Sequence, residues 1–196
     1  REIFPHMLDQ VADNHEGVAQ TLNALTEDHY FFLRLSMAAA KATADHAHGI
    51  EGSSMVTAMA FNCQGFAIRV SGLGDTWFKG PHADVQAKLF DGHTEDEIAW
   101  MGGESTITET IGLGGFAQAC AFALQQYQGG SAEAMIKRNE ELYRITIGEN
   151  PDYHIPVLGY RGTPTGINIF EVCDTGILPA MDIGIAGKDG GQIGAG

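Results

Sequence analysis

The residues with the clearest chemical potential form the run Arg69-Val70-Ser71-Gly72-Leu73-Gly74-Asp75. Arg69 and Ser71 fall on one face of a strand, and glycines follow at the strand's end. A guanidinium grips a carboxylate or phosphate through two parallel hydrogen bonds. Glycines let a ligand approach backbone amides that can cradle its negative charge. Arg69, Ser71, Gly72, Gly74 and Asp75 are therefore candidate substrate-binding residues for a small anion; an arginine beside an ordinary tight turn is the structural alternative.

A second run, Gly102-Gly103-Glu104-Ser105-Thr106-Ile107-Thr108-Glu109-Thr110, sets four hydroxyls and two carboxylates around the start of an expected helix. At helical spacing Ser105 and Glu109 share a face. Glu109 is the candidate catalytic acid–base group and Arg69 the second catalytic candidate, with Ser105 and Thr108 beside the substrate. A polar helix cap accounts for the same residues without chemistry. Gly112-Leu113-Gly114-Gly115 lacks the lysine and hydroxyl of a phosphate loop, so close backbone packing is the expected role. The closing stretch, Gly187-Lys188-Asp189-Gly190-Gly191-Gln192-Ile193-Gly194-Ala195-Gly196, carries one base in a glycine-rich loop, and Lys188 and Gly194 join the anion-binding candidates. Flexible connection is its equal alternative. His46 and His48 are two apart on a helix and point in different directions, and no Cys/His spacing marks zinc, so neither a metal nor a cofactor is expected.

The elements that must position these groups are legible in outline. Residues 5–25 carry apolar positions at helical spacing, interrupted at Asn14 and Gly17. Thr26 caps a second helix ahead of Glu27 and Asp28, with a stripe of Phe31, Leu35, Ala38 and Ala42 and a stop at Gly49. Residues 55–61 and 66–71 alternate as a β-hairpin around Asn62-Cys63-Gln64-Gly65. Residues 80–103 read as loop with one short strand at 87–90. A buried helix is expected over 105–126 and another from the Ser131 cap to residue 147. Strands are expected at 155–160, 166–172 and 182–186. The fold class is α/β (mixed α and β), with helices packed on a mixed sheet and a β-hairpin. Residues 1–50 form a helical segment and 51–196 a mixed α/β glycine-rich region. With Arg1 at one end and a glycine-rich loop at the other, the expectation is one domain of a longer protein, cut at both ends.

Composition narrows the function classes. In 196 residues, 44% hydrophobic content is enough for a core, and 25 acids against 11 bases give a net charge of −14. That sign disfavours nucleic acid and anionic membranes as partners. Three dispersed cysteines, no signal peptide and no apolar run of transmembrane length point to a reducing, cytoplasmic setting.

The motifs taken together resemble a known family. Met55-Val56-Thr57-Ala58-Met59, the run from Ile68 to Asp75 with Trp77-Phe78, Ser105 with Ile107-Thr108-Glu109-Thr110, Asp174-Thr175-Gly176-Ile177, Asp182-Ile183-Gly184-Ile185-Ala186 and Gly191-Gln192-Ile193-Gly194-Ala195-Gly196 occur in its order. The chain is similar, from about Leu25 to Gly196, to the YlbE-like or AllG-like bacterial proteins, a family of domains of unknown function. The resemblance implies a subunit of a carbamoyl-transferring complex of the oxamate carbamoyltransferase kind, which takes oxalurate and phosphate to oxamate and carbamoyl phosphate in allantoin breakdown. It also implies a succinyl-CoA-synthetase-like protein as partner, in a homo- or hetero-oligomer, and no catalytic residues come with it. The alternative is a non-catalytic scaffold that organises that partner.

Overall fold

The computed structural model describes residues 3–27, 30–62, 65–82, 87–124 and 128–196. Asp28, the turn residues Cys63 and Gln64, and Gln125 and Gln126 of the expected long helix lie outside the described residues. The chain divides into two compact units, Arg1–Ser36 and Met37–Gly196.

The first unit holds α1 (Ile3–Glu27), in which Asn14 leaves helical geometry (φ −153°, ψ 63°). Its side chain accepts a hydrogen bond from the Gly17 amide at 3.0 Å, capping the segment that follows. The interruption read from Asn14 and Gly17 thus has a local cause. Helix α2 (Phe31–His46) begins in this unit and ends in the second.

In the second unit the hairpin β1 (Val56–Asn62) and β2 (Gly65–Val70) extends to β3 (Trp77–Gly80) in a three-stranded sheet. Strand β4 (Lys88–Leu89), β5 (Ile98–Gly102), β8 (Gly184–Gly187) and β9 (Gln192–Ala195) form a second sheet in the order β4-β9-β8-β5. Strands β6 (Thr146–Ile155) and β7 (Arg161–Ile167) pair on their own. The fold is mixed α and β, as the pattern implied. Every ladder among the described residues is antiparallel, so the expected mixed sheet resolves into three antiparallel ones.

Apolar residues from several of these elements meet in buried clusters. Val56, Met59, Phe116, Leu142, Ile145 and Ile167 form one cluster, and Phe61, Ile183, Ile185 and Ile193 another. Helix α3 (Ala132–Leu142) starts at the Ser131 cap, as its sequence suggests, but ends earlier than expected. Past Leu142 a 3-10 turn leads straight into β6. A short α4 (Ile169–Thr175) occupies most of what alternation read as strand. It begins at Asn168, whose side chain accepts from the Phe170 amide.

The largest departure is at 105–126. In place of one α-helix there are 3-10 segments at Glu104–Ile111, Gly114–Cys120 and Phe122–Leu124. Hydroxyls explain it. Thr108 and Thr110 each lie within hydrogen-bonding range of the carbonyl three residues back, at 2.8 and 2.6 Å. Such bonds compete with the α-helical ladder. The glycine-rich C-terminal stretch also takes a defined form. It is a β-hairpin in which β9 inserts between β4 and β8, and the Gly187 amide donates to Gly191 across the turn at 3.0 Å.

Candidate functional site

Two polar centres emerge, and the structure sorts the sequence candidates between them. The first lies at the end of β2. Arg69 stands opposite Trp77 in the β2–β3 ladder and its guanidinium lies 5.8 Å from that ring. One terminal nitrogen donates to Asp45 at 2.7 Å and the other lies 3.7 Å from Asp75. Asp45 also contacts Lys41, and mainly for that reason its carboxyl sits below the usual range, with Arg69 adding to the effect. The positive charge of Arg69 is thus offset where it sits.

The neighbouring groups serve the backbone. The buried Ser71 hydroxyl donates to the Ala47 carbonyl at 2.5 Å and accepts from the Ile50 amide at 3.3 Å. The Gly72 amide donates to the Ser53 carbonyl at 2.8 Å. A β-carbon at Gly72 would stand 2.7 Å from that same oxygen, so the glycine permits a close approach of two chain segments. Gly74 takes a positive φ of 62° and carries the chain to Asp75, whose side chain is 94% exposed. His48 bridges Thr57, at 2.7 Å, and Asp75, at 3.5 Å.

Lys188 and Gly194 belong elsewhere, on the β8–β9 hairpin. Lys188 donates to the Asp96 carbonyl at 2.5 Å, and Gly194 sits in the ladder between Leu89 and Ile185. Sequence proximity to a glycine-rich loop does not bring them to Arg69's sheet.

The second centre is built around Glu109, which is 1% exposed. One carboxyl oxygen accepts from the amides of Gly115 and Asp182, both at 3.1 Å. The other lies 2.9 Å from the Thr108 hydroxyl, which is also 2.8 Å from the Ser105 carbonyl. A hydroxyl has one proton to give. When Glu109 is ionised, Thr108 can donate to it. When Glu109 is protonated, it can donate to Thr108, and Thr108 then donates to Ser105. Both states are satisfied.

Burial pushes the Glu109 carboxyl up to about 7, against the two amides that favour its charged form and with the nearby Asp182 charge adding to the rise. Burial raises the Asp182 carboxyl as well, while hydrogen bonds from Gln118 and Gln128 oppose that rise.

Glycines make this centre possible. A β-carbon at Gly114, where φ is 59°, would stand 2.4 Å from a Glu109 oxygen. At Gly115 it would stand 2.5 Å from the backbone of Ala180. The Gly112-Leu113-Gly114-Gly115 motif therefore lets residues 180–182 pack against the Glu109 turn. Asn139 on α3 holds the Gly114–Cys120 segment. It accepts from the Ala119 amide at 2.7 Å and donates to the Phe116 carbonyl at 2.6 Å.

Beside this centre opens a cavity of about 490 Å³, lined in part by Gln118, Gln128, Phe61, Met181 and Arg138. Gln118 donates to the Asp182 carboxyl at 2.8 Å, so Asp182 links the buried glutamate's shell to the cavity wall. Sequence reasoning missed Asp182, Gln118, Gln128, Arg138 and Asn139 as a group. They lie on separate elements, and Gln118 and Asp182 are 64 positions apart. No local spacing marks them. Among the described residues, no three His, Cys, Asp or Glu side chains converge as a metal-binding group, and no helix is long and apolar enough to cross a membrane.

Comparison with known proteins gives this arrangement a family context. A family model described as oxamate carbamoyltransferase subunit AllG matches residues 1–105. The uncharacterized protein YahG of Escherichia coli strain K12 is 46% identical over 169 residues, which cover 85% of this chain and 36% of that protein. The oxamate carbamoyltransferase subunit AllG of the same strain is 39% identical over 184 residues, covering 92% of this chain and 44% of that protein. The crystal structure of a conserved protein of unknown function from Enterococcus faecalis V583 superimposes with a TM-score of 0.86 at 40% identity, over 92% of this chain and 44% of that one. The chain spans less than half the length of the curated relatives it matches.

Proposed function

The chain belongs to the family of oxamate carbamoyltransferase subunit AllG, and on that premise we propose that it forms part of a subunit that transfers a carbamoyl group from oxalurate to phosphate in allantoin catabolism. A phosphate oxygen attacks the terminal ureide carbonyl, and the bond from that carbon to the oxamate nitrogen breaks. The proton carried by hydrogen phosphate ends on the departing nitrogen, giving oxamate and carbamoyl phosphate. The single observation that carries this reading is the 39% identity to the AllG subunit across 92% of the chain.

The Glu109 centre supports it physically. A carboxyl held near 7 changes its charge around neutral pH, so the shell it organises is pH-dependent there. Because Glu109 is buried behind Asp182, it acts as a positioning residue. It holds the Asp182 amide, and Asp182 in turn orients Gln118 at the cavity. Arg69 remains the alternative anion-binding group, provided that substrate can draw it from Asp45.

The test is carbamoyl phosphate formation by the full-length protein with its complex partners, compared with Glu109→Gln. The variant should keep its fold and lose the part of the kcat pH profile that titrates near 7. An unchanged profile would remove Glu109 from the mechanism. No turnover in any combination of partners would remove the reaction itself.

A scaffold role for a synthetase-like partner is favoured by one observation. Strand β3 lies at a sheet edge with all four residues exposed, Trp77 and Phe78 among them. If turnover survives without this subunit and only assembly suffers, the scaffold role is the correct one.

A further inference from the structure

One wall of the cavity is an irregular strap of chain. Residues 176–183 have no regular structure and run from the end of α4, where Gly176 takes a φ of 69°, to the start of β8. Leu178, Pro179, Ala180 and Met181 all line the cavity, and Leu178 is 70% exposed. Among the described residues, the backbone of these four makes no hydrogen bond.

Two things hold the strap down. Ala180 and Met181 rest on the apolar cluster around Phe116. At the strap's end the Asp182 amide donates to Glu109 at 3.1 Å, while Gln118 holds the Asp182 carboxyl at 2.8 Å. A segment with no backbone bonds of its own opens at lower cost than the sheets around it, so its state depends on the latch at Asp182.

The latch depends on charge. Glu109 faces the Thr108 hydroxyl on its own turn, the Gly115 amide, and the amide and carboxyl of Asp182. Of the elements packed against that turn, β1 carries no titratable side chain, Arg161 of β7 is paired with Glu149, and Cys120 of the Gly114–Cys120 segment donates to the His154 carbonyl. An ionised Glu109 is therefore a buried charge that meets another acid and, among the described residues, no cation. Such a charge favours any rearrangement that admits water. Thr108, Gly114 and Gly115 enclose the carboxyl on the side of its own turn, so the strap is the part that can leave. Water then replaces the lost Asp182 amide.

We propose that residues 178–181 act as a strap over the cavity, latched shut while Glu109 holds a proton and released when that proton is lost. The device goes beyond the carbamoyl-transfer reading and does not rest on it, because it gates the cavity whatever reaction the protein runs. The direction with pH follows from linkage. The enclosed carboxyl sits near 7, and a hydrated one near 4.5. Between those values opening releases a proton, so the open fraction grows with pH; outside them it is level.

Native-state hydrogen exchange at the Asp182 amide of the full-length protein reads the latch directly. Corrected for the intrinsic exchange rate, its protection should fall on the order of 50-fold from pH 5 to pH 8. It should also exchange faster than the amides of the β1–β2 hairpin and depend less on added denaturant, as a local opening does. In Glu109→Gln, with nothing to ionise at that position, the Asp182 amide should stay protected at pH 8. Equal corrected protection at pH 5 and pH 8 in the wild-type protein would overturn the proposal, and so would exchange of the Asp182 amide only with the whole fold; neither result needs a variant. A loss of protection at pH 8 that persists in Glu109→Gln would overturn it as well.

Discussion

The end of β2 and the turn around Glu109 are both polar, both glycine-lined and both visible in the sequence, yet they settle their charges in opposite ways. At the strand end, Arg69 meets two carboxylates, one of them 94% exposed, and the hydroxyl and amide nearby are committed to backbone partners. Counter-charge offsets the guanidinium, whose side chain is 13% exposed. Around Glu109 no cation stands among the described residues. A carboxyl that is 1% exposed is held by two amides and a hydroxyl, and burial shifts it to about 7. The first centre spends its charge on local structure. The second stores a proton equilibrium at neutral pH beside a cavity. Conspicuous charge in a sequence is therefore a poor guide to which groups the fold perturbs; the buried carboxyl is the one made hard to ionise.

Variants in the two regions should separate sharply. The largest effect is expected from Glu109→Ala, which orphans the Gly115 and Asp182 amides and leaves a void. Chemical denaturation should show a loss of about 3–5 kcal/mol, and a loss below about 1 kcal/mol would mean the shell is not needed for the fold.

Glu109→Gln should instead retain the fold, its amide standing in for the protonated acid, and change the pH dependence of stability. The sign follows from the raised carboxyl. Between about 4.5 and about 7 the native state holds a proton that the unfolded chain has released. Stability from this group is complete below about 4.5, declines as pH rises to about 7, and is flat above, a change on the order of 3 kcal/mol. Glu109→Gln should remove that decline, leaving a contribution of the same sign from Asp182. Denaturation curves at pH 5 and pH 8 test this, and an unaltered difference between them would break the contrast.

The strand end should respond weakly. Arg69→Met should cost roughly 1 kcal/mol or less, since Asp45 and Asp75 remain solvated after the pair is lost. Asp75→Asn should leave the denaturation midpoint where it was. A large loss in either would show that the strand-end charges are more than a locally balanced pair.

How much the sequence disclosed follows the same divide. The hairpin, the Ser131 cap, the break at Asn14 and the packing role of Gly112-Leu113-Gly114-Gly115 depend on near neighbours, and short-range pattern suffices for them. Glu109 and Thr108 stood out because hydroxyls and a carboxylate crowd one turn. Their surroundings did not, since Asp182 donates across 73 positions and Asn139 reaches an amide and a carbonyl of the Gly114–Cys120 segment from another helix. The long helix expected at 105–126 failed for a local reason, threonine hydroxyls bonding back to carbonyls three residues earlier. The glycine-rich end was read as a loop because glycine hides strand alternation, and only pairing with Leu89 and Ile185 turns Gly194 into part of a ladder.

The most direct measurement is the titration of the Glu109 carboxyl carbon by carbon-13 NMR in the full-length protein, assigned by its disappearance in Glu109→Gln. A midpoint near 7 is the expected result. A midpoint near 4.5, the value of an ordinary solvated glutamate, would contradict the buried proton equilibrium on which the candidate site depends.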